Sequence, residues 1–395
     1  MTSSILRRHI DSLPTLVSSI ARRQWDISQR LVASTQFDKI ERIYITGCGD
    51  SYHAAASSIL SFEELTGISS HAQSAMQLSR YSSSLISRSP ADTILVLAIS
   101  ASGEVTRTIE ALDVARKGGA AAIALTANNE STLAVTADSV FSTETSPFAG
   151  ESGDVVVPGS RSYFASLLSL FTFAIAAGLA RGNISISKAD EFLYELEASA
   201  ELIDWTIESN SPVVNEAAES WINEQEFVFC GAGPNYGTAM FSAAKLLEAS
   251  GDQALSQDLE EWAHLQYFAK KTRTPTIIIS GGIRDQDRAG EIAVAARTIG
   301  RQVAVVAPSG SPLTGPSGDF HYHFPVASIR ESFSPLVTCI PGLLFASERA
   351  ALIGESYFRD FTGGRSREGG GGISRIRTSH RIDEQPSERI QGPME

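Results

Sequence analysis

Two hydrophobic periods alternate along this chain. Short, nearly continuous apolar runs such as 93–99 give way to segments where apolar residues recur every three or four positions, as Ile109, Leu112 and Ala115 do between Thr106 and Lys117. The first period belongs to a strand buried on both faces, the second to an amphipathic helix. Strands are predicted at 42–46, 69–74, 93–99, 121–125 and 139–142, with helices at 51–66, 76–82 and 106–117 between them. Further on, strands at 226–230, 254–257, 276–280, 303–307 and 321–325 alternate with helices at 237–249, 290–299 and 340–353. Short turns between alternating elements predict parallel sheets covered by helices on both faces, a three-layer α/β architecture present twice.

Three segments fall outside this alternation. Residues 1–40 carry an apolar stripe broken at Pro14 and read as a helical packing arm. The segment 163–180 is almost wholly apolar and near the length of a membrane span. Ser166, Ser169 and Thr172 dilute it, as in a helix buried between packed layers, and that reading is taken here. A polar helical linker around 188–209 is expected to end near Pro212.

The two halves read as copies of one fold. Cys48-Gly49 recurs as Cys230-Gly231, which sets the expected repeat at 230 − 48 = 182 residues. The copies differ at one turn: Ser100-Ala101-Ser102-Gly103 in the first faces only Ser280-Gly281-Gly282 in the second. A strand-to-helix turn leaves backbone N–H groups unpaired at the positive end of the helix dipole, and serines add donors without bulk. The first turn is therefore a candidate anion site, although serine and glycine are also what ordinary helix capping prefers.

Composition narrows the partners. The chain has 395 residues, 43% hydrophobic and 19% charged, enough for two substantial cores. A net charge of −13 argues against a broadly basic face for nucleic acid or anionic membrane, so an anionic ligand is expected to be caught locally. Three cysteines, Cys48, Cys230 and Cys339, form no even framework and no metal-ligand spacing. No metal and no cofactor is implied, and with no apolar core of signal-peptide length near Ile5 the expected setting is the cytoplasm. The glycine-rich stretch 362–372, followed by Arg375, Arg377, His380 and Arg381, is expected to be either a mobile end or a lid over an anion.

Gly47-Cys48-Gly49-Asp50-Ser51-Tyr52 after the first strand, Ser100-Ala101-Ser102-Gly103-Glu104 after the third, and the duplicated α/β pattern resemble the double sugar-isomerase (SIS) family. That family includes the isomerase half of glucosamine-6-phosphate synthase and the fructosamine-phosphate deglycases. The resemblance covers about residues 40–355. It implies two tandem SIS domains, each a five-stranded parallel sheet of flavodoxin-like form, at 41–182 and 213–355. A helical arm (1–40), a helical linker (183–212) and a flexible tail (356–395) complete the expected division.

By this resemblance Cys48, Gly49, Ser51, Ser100, Ala101, Ser102 and Thr106 would surround the phosphate of a sugar or amino sugar. The family places Gln between the two serines and Thr three after the second, where this chain has Ala101 and Val105. Val157-Pro158-Gly159-Ser160-Arg161 is similar to the family's Val-Ala-Ser-Thr-Lys, so Ser160 either faces substrate or caps the following helix. Lys245-Leu246-Leu247-Glu248 and Glu261-Trp262-Ala263-His264 match the family's Lys-x-x-Glu and Glu-x-x-His. The resemblance assigns Glu248 the proton shuttle between neighbouring carbons, His264 the opening of the sugar ring and Lys245 the developing enolate oxygen. Spacing alone is equally that of a solvated Lys–Glu helical pair and a loop-capping histidine. Arg377 is the nearest counterpart of the family's C-terminal lysine. The glutaminase half of the synthase is expected to be missing, since residue 2 is Thr and the first strand starts near Arg42.

The resemblance thus implies a sugar-phosphate aldose–ketose isomerase, deaminase or deglycase working through an enediol or enolamine, as a homodimer. Two other readings remain open. The same fold also serves non-catalytic phosphosugar-binding regulators. Gly231-Ala232-Gly233 after a strand, with Asp258 near the expected acidic position, resembles a nicotinamide-dinucleotide fingerprint, against which Pro234 counts.

Overall fold

A computed structural model describes residues 4–148, 156–314, 320–365 and 375–377. The rest of the glycine-rich tail, including the expected lid residues His380 and Arg381, lies outside the described residues. Ten strands form two sheets: β1 (Arg42–Gly47), β2 (Ser69–Ser74), β3 (Ile94–Ile99), β4 (Ala121–Thr126) and β5 (Ser139–Ser142), then β6 (Glu226–Gly231), β7 (Gln253–Asp258), β8 (Thr276–Ile279), β9 (Val303–Pro308) and β10 (Tyr322–Val326). The first sheet runs β2-β1-β3-β4-β5 and the second β7-β6-β8-β9-β10, and every described pairing is parallel. The expected fold, two five-stranded parallel sheets flanked by helices, is therefore the observed one.

The described chain forms two compact units. The first, with β1–β5, comprises Ile20–Thr145, Ala165–Leu193 and Phe361–Glu395; the second, with β6–β10, comprises Met1–Ser19, Ser146–Phe164 and Tyr194–Asp360.

In the first unit the period-two alternation sorts side chains by size. Tyr44, Val96, Ala98, Ala122 and Ala124 face the helix Thr106–Lys117 through Ile109, Leu112 and Ala115. Mostly small residues on that face let the helix lie close to the sheet. Ile43, Ile45, Leu95, Leu97, Ile123 and Leu125 alternate with them and are equally buried. Aromatic contacts of Phe173 with Phe37, Phe62 and Phe141 add to the core. In the second unit Val228, Cys230, Ile278, Val303, Val305 and Ala307 pack on Trp262, Ile292 and Ala296.

In each unit an arginine, partly buried in the first and buried in the second, gathers backbone carbonyls. Arg181 donates to the carbonyls of Thr66, Phe37 and Ile40. Arg349 donates to Trp221, Ile222 and Glu224 and forms an ion pair with Asp252 at 2.9 Å.

Four sequence expectations change. The arm divides at Ser12 rather than at Pro14, into helices Ile5–Asp11 and Leu13–Ser34. Ser12 ends the first helix by donating its N–H to the carbonyls of Arg8 and His9, and Pro14 sits in the first turn of the second, where its missing N–H has no helical partner to lose. The expected helix 76–82 extends to Arg88 and widens to a π turn over Leu78–Ser82. Pro212 does not end the linker: one helix runs Ile186–Ser220, with Asn210 and Ser211 side chains bonding to the carbonyls of Thr206 and Ile207 around the proline.

The repeat is 184 residues, not 182, through the first two strands: β1 and β6 start 226 − 42 = 184 apart and β2 and β7 start 253 − 69 = 184 apart. Cys48 follows its strand whereas Cys230 lies inside one, so the two Cys-Gly pairs are not equivalent. The true pairs are Gly47 with Gly231 and Gly49 with Gly233.

The helices Arg161–Ala180 and Pro335–Ile353 have the length and hydropathy of membrane spans, but 89% and 78% of their most apolar windows are buried inside the protein, as in core helices. Gly178 in the former is packed so that a Cβ would lie 2.4 Å from the carbonyl oxygen of Leu65. Gly178→Ala should therefore lower stability in urea melts, although alanine in a helix is otherwise favoured by about 1 kcal/mol. Arg349→Met should cost about 3–5 kcal/mol in the same assay, because Asp252 is left buried and unpaired.

Candidate active site

Each sheet ends in a turn whose geometry is set by glycine. At Gly47 a Cβ would stand 2.6 Å from that of Ser51 and 2.9 Å from the carbonyl oxygen of Ile99. Only bare backbone lets the helix Asp50–Thr66 start so close to the ends of β1 and β3. Gly49 precedes that helix at φ 56°, which an L side chain resists, and no side chain caps the helix. Ser51 therefore lies beside the end of β3, where the Ser100 turn begins.

That turn is held from inside. Ser100 is buried and its Oγ accepts from Gly103 N at 3.1 Å, while Ser102 Oγ accepts from Glu104 N. Gly103 has φ 70°, and a Cβ there would meet Ser131 Oγ at 1.9 Å. Glu104 reaches across to Thr132, accepting from its N and Oγ1 at 2.9 and 2.7 Å. The carbonyl of Ala101 accepts from Ala127 N. The next helix starts at buried Thr106 with no side-chain cap, so both helices that begin here present uncapped N-termini. Together these features form a turn with an anion's complement: backbone donors, two hydroxyls and two helix dipoles.

Cys48 stands at its edge. The residue is exposed, but its thiol receives a bond from Thr108 Oγ1 at 3.7 Å and desolvation raises its pKa above the ordinary thiol value. Hydrogen bonds from Thr108 and from the backbone of Ala75, and then the charges of Arg377 and Arg107, partly offset that rise. Sequence reasoning missed Arg107, which is paired with buried Glu110 at 2.6 Å, as is Arg80 at 2.5 Å. The helical period hid it, because Arg107 reads there as an off-face surface residue.

In the second unit the same turn is filled by the protein. Asn235 takes the place of Ser51; its Oδ1 accepts from Thr338 Oγ1 at 2.7 Å and its Nδ2 donates to Ser334 Oγ at 3.2 Å. Ser280 repeats the role of Ser100 by accepting from Gly282 N, and donates to Asp285 Oδ1 at 2.7 Å. A Cβ on Gly281 would meet Asn235, Glu331 and Ser334. Glu331 accepts from Arg284 N, so acidic side chains of the protein occupy this turn. An anion has neither space nor favourable potential there. The fingerprint-like glycines 231 and 233 share this filled turn, and the carboxylate of Asp258 caps the next helix by accepting from Glu260 N and Glu261 N.

Desolvation pushes the Asp285 carboxyl up to about 6, opposed by the Ser280 hydrogen bond and reinforced by Glu331.

The structure separates the remaining candidates. Lys245 is 0% exposed and its ammonium is paired with Glu248, whose side chain is 18% exposed; this is no solvated pair. The Lys245 ammonium also sits 5.2 Å from the ring centre of Phe241, which stacks on Tyr163 at 3.7 Å. Tyr163 lies one turn after Ser160, so Ser160 and Lys245 belong to one neighbourhood of the second unit. Ser160 is fully buried and its Oγ has no hydrogen-bond partner among the described residues, which removes the helix-cap reading. Tyr163 and Phe241 gave no chemical signal in the sequence beyond apolarity. His264, in contrast, is 66% exposed and pairs with Glu260 at 3.3 Å, which also binds Arg288.

This geometry defines a class, an α/β protein with two parallel sheets in which the turn after β3 is not filled by the protein's own side chains as its counterpart is. Residues 36–176 match the family described as the SIS domain, so this part of the chain is similar to that domain. Among curated relatives it is 27% identical over 323 residues to a glutamine–fructose-6-phosphate aminotransferase (isomerizing) of Gloeobacter violaceus, covering 82% of this chain and 51% of that one. It is 25% identical to the Thermus thermophilus protein of the same name, covering 80% and 50%. The chain thus spans about half the length of the curated relatives it matches.

Solved structures share the fold. The C-terminal domain of glucosamine-fructose-6-phosphate aminotransferase from Francisella tularensis superposes with a TM-score of 0.75 at 18% identity, covering 89% of this chain and 97% of that one. Glucosamine-6-phosphate deaminase from Thermotoga maritima does so with 0.59 at 21% identity, covering 88% and 96%.

Two outcomes follow from the turns. Gly103→Ala should destabilise the first unit by more than about 1 kcal/mol in thermal or urea melts, since both the backbone and the Ser131 contact are violated. Because Asp285 holds its proton more tightly folded than unfolded, stability should fall as pH rises from about 4 to about 6, by on the order of 2–3 kcal/mol. Asp285→Asn should remove that slope in melts across the range.

Proposed function

We propose that this protein converts a phosphorylated sugar or amino sugar through an enediol or enolamine, as an aldose–ketose isomerase or amino-sugar-phosphate deaminase. The reading rests above all on the Lys245–Glu248 pair. A carboxylate with one open side, held by an ammonium with no exposure, is a positioned base and not a surface ion pair. It is supported by the open anion turn of the first unit, by the SIS-domain match and by the names of the relatives.

In this reading Ser51, Ser100, Ser102, Thr106 and the backbone around Gly49 and Ala101 hold the phosphate. Arg377 adds charge and Cys48 lines the edge. Glu248 takes the proton from the carbon beside the carbonyl, the electron pair moves into the enediolate, and Glu248 returns the proton to the neighbouring carbon. Lys245 stabilises the enolate oxygen, and Ser160, with a buried hydroxyl that has no partner among the described residues, bonds the substrate. His264 opens the ring; an exposed histidine suits service in a second copy's site, so a homodimer is proposed with it. A cytoplasmic setting goes with this chemistry.

One observation favours a second reading: the exposure of His264, together with Ala101 and Val105 where the family has polar donors, suits a phosphosugar-binding regulator. Glu248→Gln separates the two. Incubation with fructose 6-phosphate or glucosamine 6-phosphate in D2O should put solvent deuterium on the substrate carbon by NMR. The Glu248→Gln variant should bind within about threefold of wild type and lose exchange by about 10²-fold or more. Binding without exchange in the wild-type protein would sink catalysis and leave the regulator. Ser102→Ala should weaken phosphosugar binding about tenfold, measured by calorimetry.

A further inference from the structure

A buried guanidinium stands at the opposite end of the second sheet from the turns described above. Arg301 precedes β9 and is 2% exposed. It has two hydrogen bonds from its side chain, both from Nη2 to Gln266, at 2.9 Å to the carbonyl and 3.3 Å to Oε1. Nε is buried without a partner, and no carboxylate pairs with this side chain among the described residues. Desolvation pulls its pKa below the usual arginine value, opposed by the more distant charge of Glu226. An arginine has five N–H donors, so three remain without an acceptor among the described residues, in a setting where leaving donors unmet is costly.

Arg301 also lines a cavity of about 380 Å³ with Leu255, Gln266, Ala269, Glu226 and Lys271. Its walls combine the partly exposed Leu255 with this cation and with polar groups. Lys271, on the rim, is already bound to Glu226 at 2.5 Å. The cavity volume suits a small molecule, and the chemistry suits one anionic group on an apolar body. Arginine's planar fork matches a carboxylate with two parallel bonds.

We propose that this cavity is a second ligand site, taking a small organic carboxylate whose acid group pairs with Arg301 and whose apolar body lies against Leu255, which is 46% exposed. The site lies where β6 and β7 begin, whereas the filled turn and Asn235 lie where β6 ends. It does not depend on the reaction proposed for the other residues.

The full chain is titrated with 4-fluorobenzoate by ligand-observed 19F NMR, with inorganic phosphate as a second probe. Saturable fluorobenzoate binding is expected, weakened at least tenfold in Arg301→Lys and in Leu255→Asp, and unchanged in Ser100→Ala/Ser102→Ala. Arg301→Lys keeps the buried charge, and Leu255→Asp puts a repelling carboxylate at a half-exposed wall position, so loss of fold in one leaves the other informative; both are checked by circular dichroism. No saturable binding up to about 10 mM, or binding indifferent to both variants, overturns the site. Phosphate binding that is lost in both variants, with no carboxylate binding, overturns the ligand class.

Discussion

The close approach of a helix to the end of a strand governs this molecule. At Gly47 and again at Gly231 no Cβ fits between the strand and the helix that follows it. The backbone turns at Gly49 and Gly233 with nearly the same φ and ψ. The consequence is a helix N-terminus set directly on a sheet edge, beside the start of the next loop. Positive potential and unpaired N–H groups then collect at a point. The fold provides this twice; what occupies the point differs.

In the first unit it is left open, lined by Ser51, Ser102 and the backbone of a turn that Ser100 holds from within. In the second, Asn235, Ser334 and Thr338 bond to one another across it, and Asp285 and Glu331 place carboxylates there. The same scaffold thus carries one turn without such side chains across it and one that is a polar packing contact. The cost is visible in Asp285, whose desolvated carboxyl holds its proton to about pH 6. Further along the same helix of the second unit the buried Lys245 pairs with the partly exposed Glu248.

Strand and helix order, sheet direction and the inequality of the two turns were legible because each rests on local signals: apolar period, glycine and serine at turns. The repeat length was misjudged by two residues because Cys-Gly was matched as letters. What repeats physically is the glycine that admits the helix, and Cys230 sits in a strand where Thr46 stands in the other copy. Pro212 was read as a stop because sequence shows the missing N–H but not the Asn210 and Ser211 side chains that bond to nearby carbonyls.

The sequence by itself determined that two parallel α/β lobes would form and that their two turns would differ, since the hydrophobic period and the absence of a Cβ act over a few residues. Burial belongs to the tertiary structure. Lys245 and His264 both read as basic residues in a sequence, yet packing on Phe241 removes one from water while the other stays exposed. The same holds for Ser160, stripped of any capping bond, and for Arg301, enclosed with donors to spare. Desolvation depends on neighbours distant in the chain, and only the folded structure brings those neighbours together.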